Sequence, residues 1–254
     1  MRVCTFNIHG GTDIARRPSL PAVADLLAAT DADVVLLQEC DRFLPRSGFK
    51  DQALWLSRRL GYQVCHFHGR LGAGPVRFGN AVLTRRVVAR RLTVDLPGGG
   101  EPRAAAGVVL SGGATVFSVH LGLRDEWRSS QLEALVAAVN GLPGDAPVVV
   151  GGDFNAGPDA IEIATFVRRA GLTDLCGAAP EATFPADDPK HRIDFLFGRG
   201  LAASAAGVRA DPTASDHGLV WADLEVVSYP ASDSSAVAER PSNVASSPSN
   251  SSDE

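Results

Sequence analysis

Cysteine is sparse in this chain: Cys4, Cys40, Cys65 and Cys176 are scattered through 254 residues, and no two of them form a C-x-x-C pair. Thiols placed in or beside apolar runs read as reduced structural residues, so neither a disulfide framework nor a cysteine zinc site is expected. A positive charge excess is also missing. The formal net charge of −5 argues against a dedicated non-specific nucleic-acid binder, which needs basic surface to neutralise phosphates. No apolar run reaches the roughly 18 residues of a membrane span, and Met1-Arg2 leads straight into a strand-like segment, without the apolar stretch of a signal peptide. These absences lead to the expectation of a soluble, cytoplasmic protein.

What is present is a large apolar fraction, 45%, enough for a sizeable core, and an α/β pattern of this length is often a single domain. The expectation is one domain over residues 1–227. From Ser228 the composition changes to Ser, Pro, Ala, Asn and acidic residues, which reads as a disordered Ser/Pro-rich tail over 228–254.

The organising stretch is Pro147 to Asn155, Pro-Val-Val-Val-Gly-Gly-Asp-Phe-Asn. The β-branched run predicts a buried strand, the two glycines predict a sharp bend where the chain leaves the sheet, and Asp153 and Asn155 follow at once. An ordinary turn would use the same residue types. Other segments share the pattern: Val3 to Phe6 runs into Asn7, Val34 to Gln38 into Glu39, and Thr115 to Val119 into His120. Asp194 lies inside the apolar run 192–197, and Ser215-Asp216-His217 precedes the run 218–226. If these strands share a layered core, their polar ends can converge on one site.

Between them, helices are expected over 18–29, 52–60 with Gly61 as its stop, 125–142, and 161–170 with Gly171 as its stop. Residues 65–78, with His66, His68, Arg70, Arg77 and three glycines, read as a loop that could meet an anionic substrate or simply face solvent. Gly98-Gly99-Gly100 predicts a turn between strands near 92–96 and 105–110. A calcium loop starting at Asp153 fails, because Pro158 and Ala164 stand where glycine and glutamate are required.

The ordered set Asn7, Gln38-Glu39, Gly79-Asn80, His120, Gly152-Asp153-Phe154-Asn155, Arg192-Ile193-Asp194 and Ser215-Asp216-His217 resembles the endonuclease/exonuclease/phosphatase superfamily over residues 1–227. The resemblance implies an α/β fold, a four-layer α/β/β/α sandwich of two packed mixed sheets. It also implies hydrolysis of phosphate esters with a divalent ion, usually magnesium, with manganese as a substitute. At the matching positions Glu39, Asn7 and Asp216 are expected as metal ligands, since hard magnesium prefers oxygen donors. Asp153 is expected to orient and deprotonate the attacking water, with Asn155, His120 and His217 as donors to the phosphoryl oxygens and Asp194 fixing the His217 ring. Arg128 and Gln131 are expected to brace the site.

Two departures restrict the activity. His9 stands where nuclease branches carry an acid, and neither Tyr62 nor Tyr229 sits where the repair nucleases place a tyrosine. A phosphodiesterase or phosphatase for a small or lipid-derived phosphoester is therefore favoured over an endonuclease or exonuclease on DNA or RNA. A non-catalytic binding module on the same fold is the remaining alternative.

Overall fold

The computed structural model describes residues 1–144, 146–177 and 181–227, apart from the side chains at 64, 65 and 70. The expected tail and the Cys65 thiol therefore lie outside the described residues. Among the described residues twelve strands form two six-stranded sheets. The first sheet holds β1 (Arg2–Asn7), β2 (Val34–Arg42), β3 (Val64–Ala73), β4 (Val76–Thr84), β11 (Leu201–Arg209) and β12 (Leu219–Val226), in the order β11-β12-β1-β2-β4-β3. The second holds β5 (Val88–Leu96), β6 (Arg103–Leu110), β7 (Thr115–His120), β8 (Val148–Asp153), β9 (Thr173–Asp174) and β10 (Asp194–Arg199), in the order β5-β6-β7-β8-β10-β9.

Strand alternation builds the layers. In β1 and β2 the side chains of Cys4, Phe6, Val35 and Leu37 pack on α1 (Leu20–Thr30) and α2 (Gln52–Leu60), while Val3, Val34 and Leu36 face the other sheet. In β7 and β8 Phe117, Val119, Val148 and Val150 pack on α3 (Asp125–Asn140) and α4 (Ile161–Arg169), while Val116 and Val149 face inward. The result is the four-layer α/β/β/α sandwich, with an apolar core in each of the three spaces between layers. One polar tie crosses the middle space: the Gln38 amide donates to Thr5 Oγ1 and Ser118 Oγ at 3.0 Å each, and the Ser118 hydroxyl donates to the Leu37 carbonyl at 2.8 Å. Among the described residues no helix is long and apolar enough to cross a membrane.

Each sheet contains one parallel pair, β1 with β2 and β7 with β8. Parallel neighbours need a crossover, and α1 and α3 supply it. Both pairs point their carboxyl ends to the same edge of the sandwich, where α/β folds place ligands.

Several expectations need correction. Residues 65–78 are not a loop but most of the hairpin β3–β4, whose Phe67 packs on the helix side of the sheet. The glycines there permit close strand approach, since a Cβ on Gly69 would meet the Phe78 carbonyl oxygen at 2.6 Å. The strand after α1 continues through Glu39 to Arg42, with a register shift between Leu37 and Cys40. The first helix starts at Leu20, because Pro18 bridges Thr12 in a short loop, and the third ends at Asn140, two residues early. Gly61 and Gly171 do close their helices at φ 72° and 62°, the left-handed geometry that glycine takes without strain. Cys4, Cys40 and Cys176 are buried, and burial pushes the Cys4 and Cys176 thiols up, the latter to about 12.

Gly151 and Gly152 do not bend the chain as expected; both lie within β8, paired on each side. A Cβ on Gly152 would collide with the Val119 carbonyl, and one on Gly151 would meet Leu196 Cδ2 at 2.6 Å and Leu36 Cδ1 at 2.8 Å. The missing side chains let β7 and β10 close on β8 and let the two sheets meet. Gly152→Ala should therefore cost on the order of 3 kcal/mol, read by urea unfolding; a variant as stable as the parent would contradict this role for the glycine.

Candidate active site

Register places the polar residues side by side at one edge. Asn7 lies opposite Gln38, His120 opposite Asp153 across the parallel pair, and Asp194 opposite Asp153 across the antiparallel pair. Glu39 occupies the bulge in β2 with φ 56°. An extra residue in a strand re-aims its side chain, and the Glu39 carboxylate accepts from Asn7 Nδ2 at 3.1 Å. The same nitrogen donates to Asp153 Oδ2 at 3.0 Å, while Asn7 Oδ1 accepts from the His9 N–H at 3.0 Å. The backbone donor fixes which end of the amide faces the carboxylates.

Past β8 the chain turns through Asn155 at φ 50°, whose N–H donates to Asp153 Oδ1 at 2.9 Å and whose Nδ2 donates to the Leu121 carbonyl at 2.9 Å. The Ser215-Asp216-His217 segment is stitched to β1. The Ser215 hydroxyl donates to the Asn7 carbonyl at 2.7 Å and accepts from the His217 N–H at 3.2 Å. His217 Nδ1 meets Asp194 Oδ2 at 2.9 Å, its Nε2 lies 3.7 Å from Asp153 Oδ2, and the Phe184 ring packs against it at 4.9 Å.

Burial decides the charges. Burial raises the Asp153 carboxyl to about 7, with Asp194 adding to the rise and His217 opposing it. For His217 burial works against the charged form, yet Asp194 and Asp153 together overcome it and raise the imidazole to about 10. At neutral pH it is therefore an imidazolium. Burial, with the charges of Arg103 and His217, pushes His120 well below its usual range, so it is neutral 3.4 Å from Asp153 Oδ2. A poised carboxylate thus stands between one neutral and one cationic imidazole.

Six of the expected residues, Glu39, His120, Asp153, Asn155, Asp216 and His217, line one cleft of about 540 Å³; Asn7 and Asp194 stand behind them, bonded to Glu39, Asp153 and His217. Arg128 and Gln131 act on the segment after His120: Gln131 Oε1 accepts from the Gly122 N–H at 2.8 Å and Arg128 donates to the Leu123 carbonyl at 2.6 Å. Asn80 donates instead to the Ala104 carbonyl, and Tyr62 is buried with its hydroxyl on the Ala32 carbonyl. Asp216 Oδ1 lies 3.4 Å from His9 Nδ1. Sequence reasoning did not find Phe184, Arg16, Arg46 or Arg103, all of which reach the cleft. Each sits in a segment without periodic signal or at the start of a strand, so only the folded chain shows where it points.

The donor set suits a hard divalent cation. Glu39 and Asp216 offer carboxylate oxygens on the cleft wall, the ligand type that magnesium and manganese prefer. Asn7 in this arrangement positions Glu39 with its amide nitrogen. Asp153, Asp194 and His217 also offer donor atoms within 4.8 Å of one another, but a metal ligand must be deprotonated, and the raised His217 is already the cation of that group.

Because the folded Asp153 holds its proton more tightly than the unfolded chain does, the protonated form stabilises the fold at low pH. That contribution is lost as pH rises from roughly 4 through about 7. Asp153→Asn removes the dependence. The melting temperature of the variant should match the parent near pH 4 and equal or exceed it at pH 8. A variant several degrees less stable at pH 8 would show that the carboxylate mainly holds the turn to Asn155.

Comparison with known proteins bears on the family and the fold. The model of the Endonuclease/Exonuclease/phosphatase family matches residues 4–217. The uncharacterized protein YbhP of Escherichia coli (strain K12) is 32% identical, over 89% of this chain and 96% of its own length. Among solved structures, the mannosyl-6-phosphatase of Bacteroides thetaiotaomicron VPI-5482 superposes with a TM-score of 0.75 at 19% identity, covering 89% of this chain and 99% of that one. The human Nocturnin catalytic domain with bound sulfate gives a TM-score of 0.66 at 21% identity, covering 89% and 94%. At these identities the structural matches speak for the fold alone. The match over residues 4–217 settles the family: this chain belongs to the endonuclease/exonuclease/phosphatase family of phosphoester hydrolases.

Proposed function

We propose that the chain is a divalent-metal-dependent phosphodiesterase or phosphatase acting on a small or lipid-derived phosphoester. The observation that carries this reading is the convergence of Glu39, His120, Asp153, Asn155, Asp216 and His217 on one polar cleft, where burial pushes the Asp153 carboxyl up to about 7, the range of a base suited to neutral pH. Above that pH the ionised carboxylate takes the proton of an attacking water. Its Oδ1 is fixed by the Asn155 N–H and its Oδ2 by the Asn7 amide, which limits the directions open to the water.

Asn155 Nδ2 spends one hydrogen on the Leu121 carbonyl and keeps the second for a phosphoryl oxygen. His217, held cationic by Asp194, opposes the negative charge that grows on those oxygens, and neutral His120 supplies a further donor in one of its tautomers. A divalent ion on Glu39 and Asp216 would supply charge neutralisation and polarisation of the P–O bond.

The walls of the cleft bear on the size of the substrate. Two of the cleft arginines already have carboxylate partners, Arg46 with Asp41 at 2.7 Å and Arg103 with Glu101 at 3.5 Å. The chain is acidic overall. This supports a compact phosphoester over a long duplex, whose backbone would need a continuous basic track.

Turnover of a chromogenic phosphodiester should require magnesium or manganese and vanish in excess chelator, and Glu39→Gln should lower kcat/KM at limiting metal by roughly tenfold or more. Full turnover by metal-free protein would overturn the mechanism. Degradation of oligonucleotides far faster than of every small ester tested would favour the nuclease activities of the fold.

A further inference from the structure

Resting on the reading of the cleft as a phosphoesterase site, we infer that Arg16 determines specificity by binding a second anionic group of the substrate, set apart from the scissile phosphate. Arg16 sits on a tight loop between Thr12 and Pro18, which form an isolated bridge. The Asp13 N–H donates to the Arg17 carbonyl at 2.9 Å, and the Arg16 N–H donates to the Asp13 carbonyl at 2.9 Å. The Asp13 carboxylate, itself buried, accepts from both the N–H and Nε of Arg17 at 2.8 and 2.7 Å. The Ile14 N–H is tied to the Pro212 carbonyl at 3.2 Å, and the Ser19 hydroxyl to the Ala214 carbonyl at 2.6 Å. The loop is thus anchored to the segment that leads into Ser215-Asp216-His217.

This is a three-residue hairpin connection, a turn followed by one residue in the left-handed region, where glycine is the usual choice. Here that residue is Arg16, at φ 62°. A side chain with a Cβ is strained in this conformation. Strain held at a defined place by its surroundings points to a use for the side chain that imposes it.

The surroundings give that use. Arg16 lines the same cleft as Glu39, Asp153 and Asp216. Arg46 and Arg103 on the other walls have carboxylate partners, and the adjacent Arg17 has Asp13. Among the described residues the Arg16 guanidinium has no ion pair and no side-chain hydrogen bond. An uncommitted guanidinium on an anchored loop, with a planar fork suited to phosphate, sulfonate or carboxylate, is available to a charge that the substrate brings.

The test uses matched chromogenic diesters, 4-nitrophenyl propyl phosphate against 4-nitrophenyl esters whose second arm is sulfoethyl, sulfopropyl or sulfobutyl. These differ by one fixed charge that the enzyme does not hydrolyse. The full chain should favour at least one sulfonated ester by about tenfold in kcat/KM, carried by KM. Arg16→Gly should reduce that ratio to about 1, and Arg16→Lys should keep part of it. A structural role for Arg16 would move all the esters together. Arg16→Gly should also raise Tm by about 2–4 °C, as the left-handed strain is relieved. Turnover without any charge preference, a preference that survives Arg16→Gly, or a Tm several degrees lower would each overturn the inference while leaving the hydrolase reading intact. No turnover of any of these diesters, nor of the monoester 4-nitrophenyl phosphate, with magnesium or manganese would overturn both.

Discussion

Two buried carboxylates stand directly opposite each other on neighbouring antiparallel strands, Asp153 on β8 and Asp194 on β10. Like charges across such a pair repel, and burial magnifies the repulsion by lowering the local dielectric. The imidazolium of His217 resolves it, 2.9 Å from Asp194 and 3.7 Å from Asp153. The compensation is unequal: Asp194 takes the close contact, and Asp153 is left with a raised pKa and two modest donors. That asymmetry separates one carboxylate that holds a ring from one that can accept a proton. Because His217 arrives from the segment before β12 in the other sheet, the same contact also couples the two sheets at the edge where the cleft opens.

The rest of the architecture serves that meeting of edges. The two parallel pairs deliver Asn7, Gln38, His120 and Asp153 where their pairing ends, and the crossover helices put both ends on the same side. Gly151 and Gly152 allow β8 to lie close to its neighbours and to the facing sheet. Gln38 ties Thr5 to Ser118 across the middle of the sandwich, next to Asn7, which in turn bridges Glu39 and Asp153. Polar groups buried this deeply cost free energy unless each is bonded; Gln38, Thr5, Ser118 and Asn7 find partners here, whereas Asp194 Oδ1 is buried without a hydrogen bond. The cost falls on Asp153, whose ionised form the fold disfavours.

Much of this was legible in the sequence. Short apolar, β-branched runs ending on Asn7, Glu39, His120 and Asp153 read as buried strands, and strands in a layered core can bring their ends together. The ordered motifs then indicated the family. Less legible were the features that depend on register. Nothing local distinguishes Glu39 on a bulge from Glu39 just past a strand, and the glycines at 151 and 152 look like a bend until the approach of Val119 and Leu196 is seen. Residues 65–78 read as a loop because glycine is a common turn residue, whereas here the glycines let two strands pack closely. Arg16, Arg46, Arg103 and Phe184 carried no signal, since their place in the cleft comes from segments far apart in the chain.

His217 is the cation between two carboxylates, and its ring charge can be observed directly. Nitrogen-15 chemical shifts of the histidine side chains, followed from pH 5 to 11 in the metal-free protein, should show the His217 imidazolium persisting through pH 8 and titrating near 10, with His120 neutral across the range. A His217 ring that loses its proton near 6.5, the value of an unperturbed imidazole, would contradict the account, because the opposed carboxylates would then have no cation to hold them together.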